Sequence, residues 1–269
     1  MRLLFLFLLF FNLSFGYQDL TLAVLSSGSP VKEYKRFKAL SKYLTEKTGI
    51  PIKIKIVGKY QKLLDMYKEV GVDISISCPV VFYKIKENYN VEGIAVVKID
   101  GMVLESGVIV VKKNSPIKTV EDLKGAKITL GSSICASNCI MPLYILKSHN
   151  ITYRDVPDMW SSGTDRAAIL AVIAGLADAA GVKEESALMY LDKGIRILAK
   201  SPYVPRYIVA ISKDLPSELK EKIKNALYNL KDKSILKKLG IDGFEKPKKE
   251  MFKLIKDYNQ VLEAYPFLQ

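Results

Sequence analysis

Short apolar runs rich in β-branched residues alternate along this chain with longer segments whose apolar positions recur every three or four residues. The runs Leu20–Leu25, Ile52–Val57, Ile74–Ser77, Val91–Val97, Gly107–Val111, Lys127–Leu130, Ala179–Val182, Ile195–Ala199 and Tyr207–Ile211 are bounded by Gly, Pro or Asn and read as strands. The segments Val31–Thr48, Gln61–Val70, Arg166–Gly175, Pro216–Leu230 and Lys248–Leu262 carry the helical period. Strands alternating with helices predict an α/β fold with mainly parallel sheets. In such sheets ligands sit beyond the carboxyl ends of the strands, where loops enter helices.

The first residues break this pattern. Met1-Arg2 precede an unbroken apolar run from Leu3 to Phe11, and Ser14 and Gly16 place small residues where a signal peptidase cuts. Residues 1–16 are therefore expected to be a signal peptide and residues 17–269 the exported, periplasmic chain. The apolar run is about half of the roughly 20 residues that a spanning helix needs, so a retained anchor is the lesser alternative. The length after cleavage suits two domains, and no repeat or low-complexity segment divides it. The formal net charge of +13 comes from lysines scattered through every predicted element. That is the distribution of a solvated surface, and no aromatic-interleaved basic motif points to nucleic acid.

Candidate chemistry lies in polar loops at predicted strand ends. Asp122-Leu123-Lys124-Gly125 ends a short helix, the buried strand to Leu130 follows, and Ser132-Ser133-Ile134-Cys135-Ala136-Ser137-Asn138-Cys139 opens the next helix before Pro142. This is how backbone N–H groups and a helix start make an anion pocket. Ser26-Ser27-Gly28-Ser29-Pro30, Lys59-Tyr60, Ser77-Cys78-Pro79 and Ser161-Ser162-Gly163-Thr164-Asp165-Arg166 are comparable loops. Any one of them alone is ordinarily an N-cap or a turn. Converging on one cleft, the five would donate hydrogen bonds to a small oxyanion.

The order of these motifs resembles the exported phosphate, phosphite and phosphonate solute-binding proteins of ABC transporters. The matching residues are Lys59-Tyr60, Val72-Asp73-Ile74, Pro79, Glu105 to Val111, Val120 to Gly125, Ser137, Pro142, Ala171 to Ala179 and Val204-Pro205, within about residues 20 to 230. The resemblance implies a type II periplasmic binding fold: two α/β lobes joined by two crossovers near residues 100–106 and 199–206, with a ligand cleft and hinge between them. It divides the chain into lobe 1 (17–103 and 206–269) and lobe 2 (104–205), with the C-terminal helices wrapped onto lobe 1. It also implies a monomer that hands a small oxyanion to a transporter permease.

Departures from the family pattern stand where the ligand is expected. Cys135-Ala136-Ser137 occupies the place of a Ser-Thr-Ser-type tripeptide, Cys78-Pro79 that of Gly-Pro, Phe82 that of a hydroxylated aromatic, and Asp165-Arg166 that of His-Asp. All three cysteines thus fall in cleft loops. They are either a disulfide or small buried residues, or soft ligands for a thiophilic solute such as arsenite, with Cys135 made acidic by a helix start. A branch of the same family senses arsenite and signals to a histidine kinase. The ligand set expected from sequence is Tyr60, Cys78, Cys135, Ser137, Asn138, Cys139, Gly163, Thr164, Asp165 and Arg166. No cofactor, metal site or catalytic group is expected, since the lone histidine, His149, sits in a surface-like turn without a nucleophile beside it.

Overall fold

The computed structural model describes residues 18–26, 29–132, 136–253 and 255–265. The expected signal peptide, the Ser27-Gly28 pair and Cys135 lie outside the described residues. The chain runs through β1 (Leu20–Leu25), α1 (Pro30–Thr48), β2 (Ile52–Val57), α2 (Tyr60–Glu69), β3 (Ile74–Ser77), α3 (Pro79–Asn88) and β4 (Val91–Lys98). It continues through β5 (Leu104–Glu105), β6 (Gly107–Lys112), β7 (Ile128–Leu130), α4 (Met141–Ser148), β8 (Met159–Ser161), α5 (Asp165–Ala174), β9 (Ala179–Lys183), α6 (Glu184–Leu188) and β10 (Ile195–Lys200). It ends with β11 (Val204–Pro205), β12 (Ile208–Ser212), α7 (Ser217–Tyr228), α8 (Lys233–Leu239), β13 (Gly243–Glu245) and α9 (Ile255–Ala264).

Two sheets form. One has the order β13-β4-β12-β3-β1-β2 and the other β10-β6-β9-β7-β8, and between them β5 and β11 pair as a short antiparallel ribbon with Glu105 opposite Val204. The sheets are mixed, which corrects the mainly parallel expectation. Strands β1, β2 and β3 are parallel, as are β7, β8 and β9, but β12 runs antiparallel between β3 and β4, and β6 runs antiparallel between β9 and β10. The reason is connectivity. Each strand that arrives from the ribbon enters its sheet from the opposite end, so it pairs head to tail with strands already laid down by βαβ units.

Local chemistry explains the individual elements. Helix α1 starts at Pro30, whose fixed φ and missing N–H suit a first turn. It buries Phe37, Leu40 and Leu44 on one face and stops at Gly49, which takes φ 76° and donates to the Thr45 carbonyl at 2.8 Å. β2 alternates Ile and Lys at the sheet edge, where lysines guard the unpaired strand. β3, in the interior, is buried at all four residues.

Helices α7 and α8 pack on α1, while α9 lies against both α3 and α4 and so touches helices of both sheets. Its Tyr258 ring meets Tyr144 edge-on at 4.6 Å, and the Tyr265 hydroxyl donates to the Ile151 carbonyl at 2.7 Å. Among the described residues no helix is long and apolar enough to cross a membrane.

Candidate ligand cleft

Because β1, β2 and β3 are parallel, the helices that follow them begin at one edge of the first sheet. Neither Lys59, which precedes α2, nor Cys78, which precedes α3, caps its helix with its side chain. The first-turn N–H groups of both helices are therefore not capped by the side chain of the preceding residue. Tyr60 is the first residue of α2 and is half-buried. Cys78 is 4% exposed. Beside it Ser77 is fully buried at the end of β3, and its hydroxyl has no hydrogen-bond partner among the described residues.

On the second sheet, β7 ends at Leu130 and the chain reaches a π-type turn, Ala136–Ile140, that sits directly on the sheet. Three glycines let it do so. A Cβ at Gly107 would lie 2.3 Å from the Ser137 carbonyl oxygen, one at Gly181 would lie 2.6 Å from Pro142, and one at Gly131 would lie 2.1 Å from Asp165 Oδ1. Ser137, Asn138 and Cys139 are all buried in this turn. Asn138 Nδ2 donates to Asp165 Oδ1 at 2.7 Å and Ser186 Oγ donates to Asp165 Oδ2 at 2.7 Å, while Asn138 Oδ1 is buried without a donor among the described residues.

Thus Asn138 and Asp165 are brought together. Thr164 acts as the N-cap of α5, accepting from Ala167 N–H at 3.2 Å, and Gly163 supplies the positive φ of 80° before it. Gly163 and Arg166 are exposed. No disulfide joins Cys78 to Cys139.

A third group of residues was not anticipated from sequence. Arg206 follows the ribbon and is 2% exposed; its backbone N–H donates to Val103 O at 2.9 Å. The register Ile208↔Ser77 sets Arg206 just beyond the end of β3, beside the start of α3. Its guanidinium pairs with Glu105 at 3.5 Å and with Glu185 of α6, and Glu105 in turn faces Lys183 at 3.8 Å. Next to them, burial tends to raise the Glu184 carboxyl, but Lys200 at 2.5 Å and the Ser106 hydroxyl at 2.6 Å outweigh it and hold the group below the usual range. A signal did exist: an arginine inside the apolar stretch Val204 to Ile211 is costly unless paired or used.

Sequence comparison adds the decisive observation. The family described as ABC transporter, phosphonate, periplasmic substrate-binding protein matches residues 22–252. The chain belongs to that family. Solved structures agree on the fold of this phosphonate-binding family member. PhnD1 from Prochlorococcus marinus, in complex with methylphosphonate, is 20% identical, with TM-score 0.74 over 92% of this chain and 99% of that one. A Xanthomonas citri protein bound to ATP is 15% identical, with TM-score 0.79 over 94% of this chain and 100% of that one. A binding-protein component of an ABC phosphonate transporter from Pseudomonas aeruginosa is 17% identical, with TM-score 0.71 over 94% and 89%. The fold is the two-lobed type II periplasmic binding fold that the sequence led us to expect.

Proposed function

We propose that this protein captures a small phosphonate-, phosphite- or phosphate-like oxyanion between its lobes and delivers it to the permease of an ABC transporter. The observation that carries this reading concerns buried side-chain polar atoms without a hydrogen-bond partner. Among the described residues they belong to Ser77, Glu105, Asn138 and Arg206. Ser77 ends β3, Glu105 belongs to the ribbon, Asn138 to the turn after β7, and Arg206 stands just before β12. The donors in this set, Ser77 Oγ–H and the Arg206 guanidinium, are the ones an anion completes, since buried donors are rarely left unmatched; Glu105 Oε2 and Asn138 Oδ1 are acceptors, which an anion does not complete. A phosphoryl group offers acceptor oxygens to Ser77 Oγ–H, to the Arg206 guanidinium and to the uncapped N–H groups of α2 and α3.

In this reading lobe 1 comprises residues 17–103 and 206–269 and lobe 2 residues 104–205, with the β5–β11 ribbon as the hinge. Membership of the strands in the two sheets supports the division. Residues 1–16 direct export to the periplasm, where the protein works as a monomer.

Thermal melting of ligand-stripped protein with methylphosphonate, phosphite, phosphate, sulfate and arsenite tests the proposal. A ligand at about 100 times its dissociation constant adds roughly 2.7 kcal/mol of stability. A shift with a phosphorus oxyanion is expected, and none with any of them overturns the reading. The thiophilic alternative, an arsenite receptor presenting its closed form to a histidine kinase, is favoured only by the burial of Cys78 and Cys139 in the cleft segments. It requires a shift with arsenite alone that disappears in Cys135→Ser.

A further inference from the structure

The pair Arg206–Glu185 joins the strand that returns from the ribbon to the first sheet with helix α6, which follows β9 of the second sheet. Arg206 is fixed by backbone to the ribbon and stands beside the start of α3, whereas Glu185 belongs to α6, which leaves the second sheet at the end of β9. Its neighbour Ser186 bonds Asp165, which holds Asn138, so α6 begins within the donor cluster of the second sheet. The two carboxylates preceding Ser186 differ. Glu184 is satisfied by Lys200, Ser106 and Tyr203. Glu185 is 37% exposed and has the buried guanidinium as its partner, with Arg206 Nη1 donating to Oε2 at 3.4 Å. Arg206 Nε–H, 2% exposed with its residue, still has no acceptor among the described residues.

We infer that Glu185 is an internal surrogate ligand: its carboxylate occupies the Arg206 guanidinium in the empty protein and is displaced by the oxyanion that closes the lobes. This rests on the oxyanion reading of the cleft. The chemistry follows from charge. With Glu105 at 3.5 Å and Glu185 alongside, Arg206 faces two carboxylates, one of them 6% exposed and one partly open to water. An incoming phosphoryl dianion offers Arg206 more oxygens and more charge than Glu185 does, and the released carboxylate is the one already able to reach solvent. A monoanion gains little by the exchange. Arg206 is thereby a specificity-determining residue, selecting dianionic over monoanionic oxyanions.

The experiment is calorimetric titration of the ligand-stripped wild type, Glu185→Gln and Arg206→Gln with methylphosphonate and inorganic phosphate at a pH where each is mainly dianionic, and again where each is mainly monoanionic. Relative to wild type, Glu185→Gln is expected to bind the dianion about tenfold more tightly and Arg206→Gln about tenfold or more weakly, since a hydrogen bond to a charged group is of that order. The wild-type preference for the dianion should shrink in Arg206→Gln. Unchanged or weakened affinity in Glu185→Gln overturns the inference, as does an unchanged charge preference in Arg206→Gln. A wild type that binds neither of these anions nor phosphite, titrated alongside them, refutes the oxyanion reading itself, so the two failures are distinguishable. Should Arg206→Gln not fold, Arg206→Lys, which keeps the charge but not the planar fork, together with Glu185→Gln, carries the test.

Discussion

A methyl group on residue 107 would meet the Ser137 carbonyl at 2.3 Å, Met141 Cβ at 2.7 Å and Pro142 Cδ at 2.8 Å, all in backbone or tightly packed positions. Gly107→Ala is therefore expected to destabilise the protein by about 1–3 kcal/mol through overpacking. It should also push the turn at Ser137 off the sheet, weakening oxyanion binding; thermal unfolding and titration of the same variant check both. Asp73 has a different consequence. Burial, with Asp19 nearby, raises its carboxyl above the usual range although Thr21 N–H donates to it at 2.7 Å. A raised acid favours the protonated native state, so its contribution is most favourable at low pH and is lost as pH rises from the ordinary carboxylate range through the raised value. Asp73→Asn, which keeps an acceptor for Thr21, should melt at an equal or higher temperature than wild type at pH 7, with the gap closing in acid; a lower melting temperature at pH 7 contradicts this. At this scale the sequence showed polar loops but not which atoms are orphaned. Asn138 and Asp165 were both visible as candidates, while their contact depends on Gly131, whose role is steric and leaves no chemical mark. Arg206 stayed hidden because its two carboxylate partners stand 21 and 101 positions upstream, brought beside it by the ribbon and α6.

Most elements with a clear period or a continuous apolar run were legible, β7 among them, whereas α3 (Pro79–Asn88) and the shortest strands were not. The helices and buried strands that announced themselves did so because an apolar period or a continuous apolar run repeats one signal along them. β5, β11 and β13, of two or three residues, repeat nothing; β5 and β11 form the ribbon and β13 the edge of the first sheet. The helical pattern expected over residues 248–262 is in fact a 3-10 turn at Lys249–Phe252 followed by α9, because the segment changes partner, with Phe252 against Phe82 and Tyr258 against Tyr144. α8 did carry a boundary signal, since Asp232 accepts from Ser234 and Ile235 N–H at 2.8 and 3.1 Å and Gly240 closes it at φ 61°. Asp232→Ala should cost about 1 kcal/mol in chemical denaturation. Just after α9, Tyr265→Phe removes the hydrogen bond to buried Ile151 O, an expected loss of roughly 1 kcal/mol, whereas an unchanged denaturation midpoint would mean that water replaces the hydroxyl.

For the whole molecule, the alternation of strands and helices sufficed for the α/β class, and the motif order for the family; the mixed sheets were beyond it, since strand direction follows from long-range connection. The two lobes, gripping one anion, should close on it. Small-angle X-ray scattering is expected to give a smaller radius of gyration with saturating methylphosphonate than without, and equal radii would mean binding without closure. The +13 formal charge should speed anion capture at low salt and lose that advantage as screening rises. The position of β12 has a kinetic consequence. It is an interior strand of the first sheet, hydrogen-bonded to β3 and β4, yet more than a hundred residues separate it from either in the chain. As the chain emerges from the amino end, β1 to β4 must wait for the entire second sheet before their central seam can fill. Loop closure over such distances is slow. The unfinished sheet should hold the chain in a loosely structured, protease-sensitive condition until its last third is available, which limited proteolysis of truncated chains would detect.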